Sequence, residues 1–147
     1  MSTIGTIKTA VKTHLDTLKT AGTLGQVIVD DFKTNPLGGL YKNISSYPAA
    51  IVSTPGITSE YETNRDNLRA YTFEILVIFK GENVSSITSV EDAIETLLNA
   101  FDNDPTLGGV ANGAVSAASS PEQIITDDGS FILFTITLTA RATYTLT

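Results

Sequence analysis

Few residues in this chain have the types and spacing that catalysis or metal binding requires. The sequence contains no cysteine and one histidine, His14. This composition excludes thiolate catalysis, zinc sites built on sulfur and a two-histidine metal site within one chain. His14 falls in an amphipathic segment next to Leu15 and has no acidic or nucleophilic neighbour of evident purpose, which favours a partly exposed helical histidine over a general base.

One group of acidic residues resembles the start of a calcium loop. Asp102 and Asp104 precede Gly108, but an EF-hand loop needs further oxygen ligands at set positions. Thr106 and Gly113 stand where an acidic or amide residue and a glutamate are expected. The segment is therefore predicted to end a helix, and no metal site is predicted.

The remaining candidates have simpler structural explanations. Asp127 and Asp128 precede Gly129 and an alternating segment, a pattern typical of a hairpin turn. The glycines near residue 108 lack the Gly-Lys-Ser/Thr ending of a phosphate-binding loop. A hydrolase using scattered carboxylates such as Asp30 and Asp127 would lack a nucleophile, a base and an orienting group at recognisable spacing. The chain is predicted not to be an enzyme and to bind no cofactor.

Length and composition indicate a folded, acidic protein. The 147 residues are predicted to form a single domain, 1–147, because 41% are hydrophobic and 17% are charged. The formal net charge of −7 disfavours nucleic acid and anionic membranes as partners. No stretch approaches the roughly 20 apolar residues that span a bilayer, and residues 1–19 lack a clustered signal core. A soluble protein made in a cytoplasm is expected.

Periodicity predicts two helices and several strands. Apolar residues recur at helical spacing over 3–20 and again over 89–101, where Ser89 and Asp92 suggest a capping box. Alternating or continuous apolar segments predict strands, while 33–48 is predicted to be a long ordered loop. The predicted strands are 26–32, 49–53, 69–80, a short one near 114–118 and a long one over 131–146. The fold class is α+β, with a mixed, mostly antiparallel sheet flanked by two helices.

A polar segment, 59–67, separates two predicted strands and carries charges of both signs. Two interpretations of this segment are open. In one, its mixed charge sets the register of a contact between subunits; in the other, the charge only keeps a solvent-exposed loop soluble. The candidate interface residues are Glu60, Glu62, Arg65, Asp66, Arg69 and, on the threonine-bearing face of the last strand, Arg141. Reversal of the charges at Arg65 and Arg69 is expected to weaken assembly without unfolding the chain.

Together with the first helix, four segments carry a resemblance that covers most of the chain. These are 69–79 (RAYTFEILVIF), 90–101, 102–109 (DNDPTLGG) and 140–146 (ARATYTL). In order and pattern, the chain resembles the tail terminator or tail-completion proteins of long-tailed bacteriophages. The resemblance implies a mixed sheet with two flanking helices and a ring, usually of six copies.

The same resemblance implies a function in virion assembly and no catalytic site. Such a ring ends the tail tube and joins it to the head-side connector in the phage neck, so the expected partners are further copies, tail tube protein and connector subunits. DNA passes the lumen without specific binding, which suits the acidic charge. The alternatives are another neck or minor tail protein of the head-closure type, or a small ligand-binding regulatory domain. That domain's pocket is expected between the second helix and the sheet, with Tyr71 or Tyr144 as polar groups.

Overall fold

The computed structural model describes residues 4–29, 44–81, 87–127 and 129–145. The described residues form two helices and seven strands. The helices are α1 (Ile4–Thr20) and α2 (Ile87–Asp102). The strands are β1 (Gln26–Val29), β2 (Ala49–Val52), β3 (Gly56–Tyr61), β4 (Asp66–Lys80), β5 (Gly113–Ala118), β6 (Glu122–Thr126) and β7 (Gly129–Thr145).

Both helices bury one face, as their apolar periodicity predicts. In α1, Ile7, Val11, Leu15 and Leu18 are buried, and the helix ends where Gly22 adopts a positive φ of 89°. In α2, the fully buried large side chains are Leu97 and Phe101, whereas Ile94 and Leu98 are partly exposed. Each large side chain that is fully buried contributes about 1.5–3 kcal/mol of transfer free energy. The helices are held mainly by this packing.

The two longest strands form the centre of the sheet. Antiparallel pairing of β4 and β7 runs unbroken from Asp66 opposite Thr145 to Lys80 opposite Phe131. The last strand is long, as predicted, and it finds its partner within the same chain, because β4 pairs with it over 15 positions. At one end of this pairing, residues 66–70 of β4 and 143–144 of β7 are only partly buried.

Each central strand is flanked by two shorter strands in succession. On the outer side of β4, β2 pairs with one half and β3 with the other, both antiparallel. On the outer side of β7, β5 and β6 do the same. Strand β1 adds to β2 in parallel, the one parallel pairing among the described strands. The sheet is therefore mixed and mostly antiparallel, and the predicted α+β class is confirmed.

The two faces of the sheet differ. The larger buried cluster lies on the face that carries both helices and includes Phe73, Ile75, Phe134 and Ile136. On the opposite face, a smaller cluster that includes Ile51, Ile78 and Phe131 occupies one end of β4 and β7. No described helix covers the rest of that face, which bears the alternating threonines of β7.

Several predicted boundaries require correction. The polar segment 59–67 is not a loop throughout, because Gly56–Tyr61 forms β3. Helix α2 starts at Ile87, so Ser89 lies within its first turn and is not its N-cap. The helix end after Asp102, the short strand near 114–118 and the turn before Gly129 are confirmed. The predicted loop 33–48 lies outside the described residues, except for 44–48.

Candidate assembly surfaces

The end of the sheet distant from the smaller cluster is formed by β3, the first half of β4 and the end of β7. We call this region, residues 56–72 together with 139–145, the arm. All six residues of β3 are exposed on both faces of the sheet. No described strand pairs with the outer edge of β3. The arm therefore presents unpaired backbone groups of the kind that recruit another strand.

The turn at the tip of the arm is fixed by its own hydrogen bonds. Thr63 Oγ1 accepts from the backbone N–H of Asp66 at 3.0 Å and from that of Arg65 at 3.2 Å. The backbone N–H of Glu62 donates to the Asp66 carbonyl at 3.0 Å. The side chains of Glu62 and Arg65 are exposed on this ordered turn. Both predicted interface residues are thus available to a partner.

Two other predicted interface residues are partly occupied within the chain. The guanidinium carbon of Arg69 lies 3.7 Å from the centroid of the Tyr144 ring, a cation–π contact between neighbouring strands. The Asp66 carboxylate accepts a long hydrogen bond of 3.4 Å from Thr63 Oγ1. Both residues are half-buried. Arg69 therefore stabilises the arm itself, whatever it does in an assembly.

Glu60 and Arg141 lie on the uncovered face of the sheet. Glu60 pairs with Leu68 across the β3–β4 ladder, and Arg141 pairs with Ala70 across the β4–β7 ladder. Leu68 and Ala70 occupy even positions of β4, whose side chains share the face opposite the helices. Both charged residues are exposed, and within the described chain neither forms an ion pair. Asp66 shares that face but is half-buried, so Glu60 and Arg141 are the exposed predicted residues on it.

A second free edge lies on the other side of the sheet. No described strand pairs with the outer edges of β5 and β6. Large apolar side chains are exposed on both free edges, which is unusual for edge strands unless they meet a partner. Their exposed fractions are 44% for Ile57, 83% for Tyr61, 63% for Val115 and 79% for Ile125.

The threonines of β7 form a hydroxylated row on the uncovered face. Thr135, Thr137, Thr139 and Thr143 are half-buried there, and Thr139 Oγ1 lies 3.5 Å from Thr72 Oγ1 on β4. Glu74 on β4 lies opposite Thr137, and Arg141 lies between Thr139 and Thr143 in the row itself. The row is therefore mostly polar and uncharged, with one acidic and one basic residue in or beside it.

His14 makes a contact that its sequence neighbours do not indicate. Its Nε2 lies 2.9 Å from Oδ2 of Asp104, which follows α2, and its ring lies 5.5 Å from that of Phe101. The backbone N–H of Gly108 is the main cause that holds the pKa of Asp104 below its ordinary value, and His14 adds to it. The nearby hydroxyls of Thr13 and Thr17 donate to helix carbonyls. The pair joins α1 to the turn after α2 and lacks a nucleophile.

Two open grooves lie beside α1. One of about 580 Å³ is lined by Gly5, Thr6, Thr9, Ala10 and Val110, and another of about 310 Å³ adjoins His14 and Asp104. The ligand-binding alternative places its pocket between α2 and the sheet instead. There Tyr71 and Phe101 are buried members of the main cluster. Tyr144 is stacked under Arg69. Neither tyrosine lines one of these two grooves.

The described ranges of the chain contain no group of three or more histidine and acidic side chains arranged to hold a metal ion. Neither α1 nor α2 is long and apolar enough to cross a lipid bilayer. Models of known protein families and the sequences of curated proteins gave no match to this chain.

Proposed function

We propose that this chain is a structural protein of the neck or tail end of a long-tailed bacteriophage. It forms a ring that ends the tail tube and joins it to the head-side connector. The resemblance of its sequence implies a ring of six copies. It is made in the host cytoplasm and acts in the virion, without catalysing a reaction. The proposal combines that resemblance with the free edges described above.

The observation that supports the proposal best is that opposite sides of one sheet carry edges that no described strand pairs with, those of β1 and β3 on one side and those of β5 and β6 on the other. A closed ring uses heterologous contacts, in which one surface of a subunit meets a different surface of the next. The outer edge of β3 and the outer edge of β5 and β6 are such a pair of surfaces. Both carry exposed apolar side chains that association would bury.

The uncovered sheet face suits the wall of a channel. Its threonine row offers hydroxyl groups and few cations, so it has no means of neutralising many phosphates. The net charge of −7 acts in the same direction. DNA therefore passes such a wall without being held, as the proposed function requires.

Native mass spectrometry of the purified chain over a wide concentration range tests the ring. Closed association predicts one discrete multiple of the 15.6 kDa monomer, with few intermediates. Arg65→Glu, at the tip of the arm, is expected to lower the ring fraction at a given concentration. Lys19→Glu makes the same charge change at the end of α1 and should leave it unchanged.

The proposed role at the end of the tail tube is tested by whether the protein caps tubes in vitro. Assembled tail tubes incubated with the purified protein should stop elongating and then bind connector subunits. A chain that stays monomeric at all concentrations, and also in the presence of tubes, contradicts the proposal. Rings that bind neither tubes nor connectors would leave self-association correct and the phage assignment wrong.

A further inference from the structure

We infer that β3 of one copy pairs antiparallel with β5 of the next copy, and that Glu60 of the first forms an ion pair with Arg141 of the second across Gly113. The inference rests on the proposed ring and specifies the contact that closes it. It follows from strand direction, from the order of side chains on each strand and from charge.

The directions of the two strands are compatible. Strand β3 is antiparallel to β4, β4 to β7 and β7 to β5, so β3 and β5 run in opposite directions. Copies related by rotation about an axis along the strands keep these directions. The free edge of β3 therefore meets the free edge of β5 in antiparallel orientation, and both strands are six residues long.

The alternation of side chains restricts the register. On β3, the side chains at positions 56, 58 and 60 pair with even positions of β4 and so share a face with the threonine row. On β5, positions 113, 115 and 117 pair with odd positions of β7 and lie on that same face. A continuous sheet requires these sets to face each other. One register that satisfies this pairs Glu60 with Gly113, Thr58 with Val115 and Gly56 with Ala117.

Charge selects this register among those that the alternation allows. Arg141 is the cross-strand partner of Gly113, and it lies on the side of Gly113 away from the free edge. Apart from its chain neighbours, no atom lies within 4 Å of the position that a Cβ of Gly113 would take. The long Arg141 side chain therefore has an open path across the glycine to an acidic residue on the next strand.

The same register covers exposed apolar surface. Val115, which is 63% exposed, lies beside Thr58, and Ile57 lies beside Ser116. Strand β5 carries no charged residue, so Glu60 meets no like charge on it. Pairing along six residues also satisfies backbone groups that are unpaired at both edges of the described sheet.

Disulfide cross-linking tests the register directly, because the natural sequence contains no cysteine. Thr58→Cys combined with Val115→Cys should give covalent oligomers on oxidation. In one chain these residues are separated by β4 and β7, three strand spacings or about 14 Å, which is too far for a disulfide. Ser59→Cys combined with Val115→Cys is the matched control, since Ser59 lies on the opposite face and should not cross-link.

Charge exchange tests the ion pair. Glu60→Arg and Arg141→Glu should each weaken ring association by about tenfold, and the double variant should recover most of it. Each residue is exposed in the single chain, so the melting temperature of the monomer should not change.

The outcomes separate this inference from the proposed function. Rings of wild-type mass that form no Thr58–Val115 disulfide, or in which the Ser59 control cross-links equally well, would overturn the strand pairing and leave the ring in place. A double charge variant no better than either single variant would overturn the ion pair. A chain that never associates would overturn both the ring and the pairing.

Discussion

Arg69 on β4 lies over the ring of Tyr144 on β7, with 3.7 Å between the guanidinium carbon and the ring centroid. The register places Arg69 opposite Ala142 and Tyr144 opposite Asn67, so the contact runs diagonally across the two strands. It joins the strands in the arm, where residues 66–70 of β4 and 143–144 of β7 are only partly buried.

Replacement of Arg69 should therefore weaken the arm of the single chain. We expect Arg69→Ala to lower the free energy of unfolding by about 1 kcal/mol, the usual size of a partly exposed cation–π contact. Arg65→Ala, in the exposed turn, should change it by less than about 0.5 kcal/mol. Urea denaturation of both variants measures the difference, and equal effects would contradict the structural role of Arg69. Interface experiments are better made at Arg65 alone.

The lowered pKa of Asp104 predicts acid sensitivity. The carboxylate accepts from the Gly108 backbone N–H and from His14, so the folded state favours its charged form. This stabilisation is fully present above the unfolded pKa, near 4, and is lost as the pH falls through the lower folded pKa. Asp104→Asn should flatten the dependence of melting temperature on pH below about pH 4.

His14→Gln provides the control for that measurement. Because Gly108 is the larger cause of the shift, this variant should keep much of the acid dependence that Asp104→Asn loses. If both variants abolish it equally, the histidine is the main partner of the carboxylate and the assignment to Gly108 is wrong.

The smaller cluster on the uncovered face should contribute to stability as a core does. Ile78 is fully buried there, and Ile78→Ala should cost about 2–5 kcal/mol. Ile125→Ala makes the same change at a side chain that is 79% exposed and should cost less than about 0.5 kcal/mol. Chemical denaturation compares the two. A small loss at Ile78 would show that this face is open in solution.

Two glycines differ in the space around them. A Cβ at Gly25 would lie 2.9 Å from the backbone oxygen of Tyr47, whereas at Gly56 no atom beyond its chain neighbours lies within 4 Å. Gly25→Ala should therefore lower the free energy of unfolding by about 1–3 kcal/mol, and Gly56→Ala should not. Thermal melts of both variants check this, and equal melting temperatures would contradict the close approach.

Elements with a strong local pattern could be predicted from sequence, but their pairings could not. The apolar spacing of α1 and the alternation from Phe131 onward gave the correct element types because burial of one face leaves a period in the sequence. Strand β3 was missed since all six of its residues are exposed, and an exposed strand leaves no such period.

Side-chain contacts between segments that are distant in the chain could not be predicted from the sequence either. His14 and Asp104 are 90 positions apart, and neither residue type indicates the other as its partner. Arg69 was predicted to be an interface residue because it is charged and follows a polar segment. Its contact with Tyr144 depends on the β4–β7 register, which hydrophobic alternation restricts only to every second position.

The central pairing of β4 with β7 also has a consequence for folding kinetics. Its partners are more than 50 residues apart in sequence, so chain entropy opposes it, whereas the β3–β4 and β6–β7 hairpins close over short loops. We expect both hairpins to form early and their union to limit the refolding rate. Until then the inner edges of β4 and β7 stand open, and the nascent chain is most prone to aggregate during that interval.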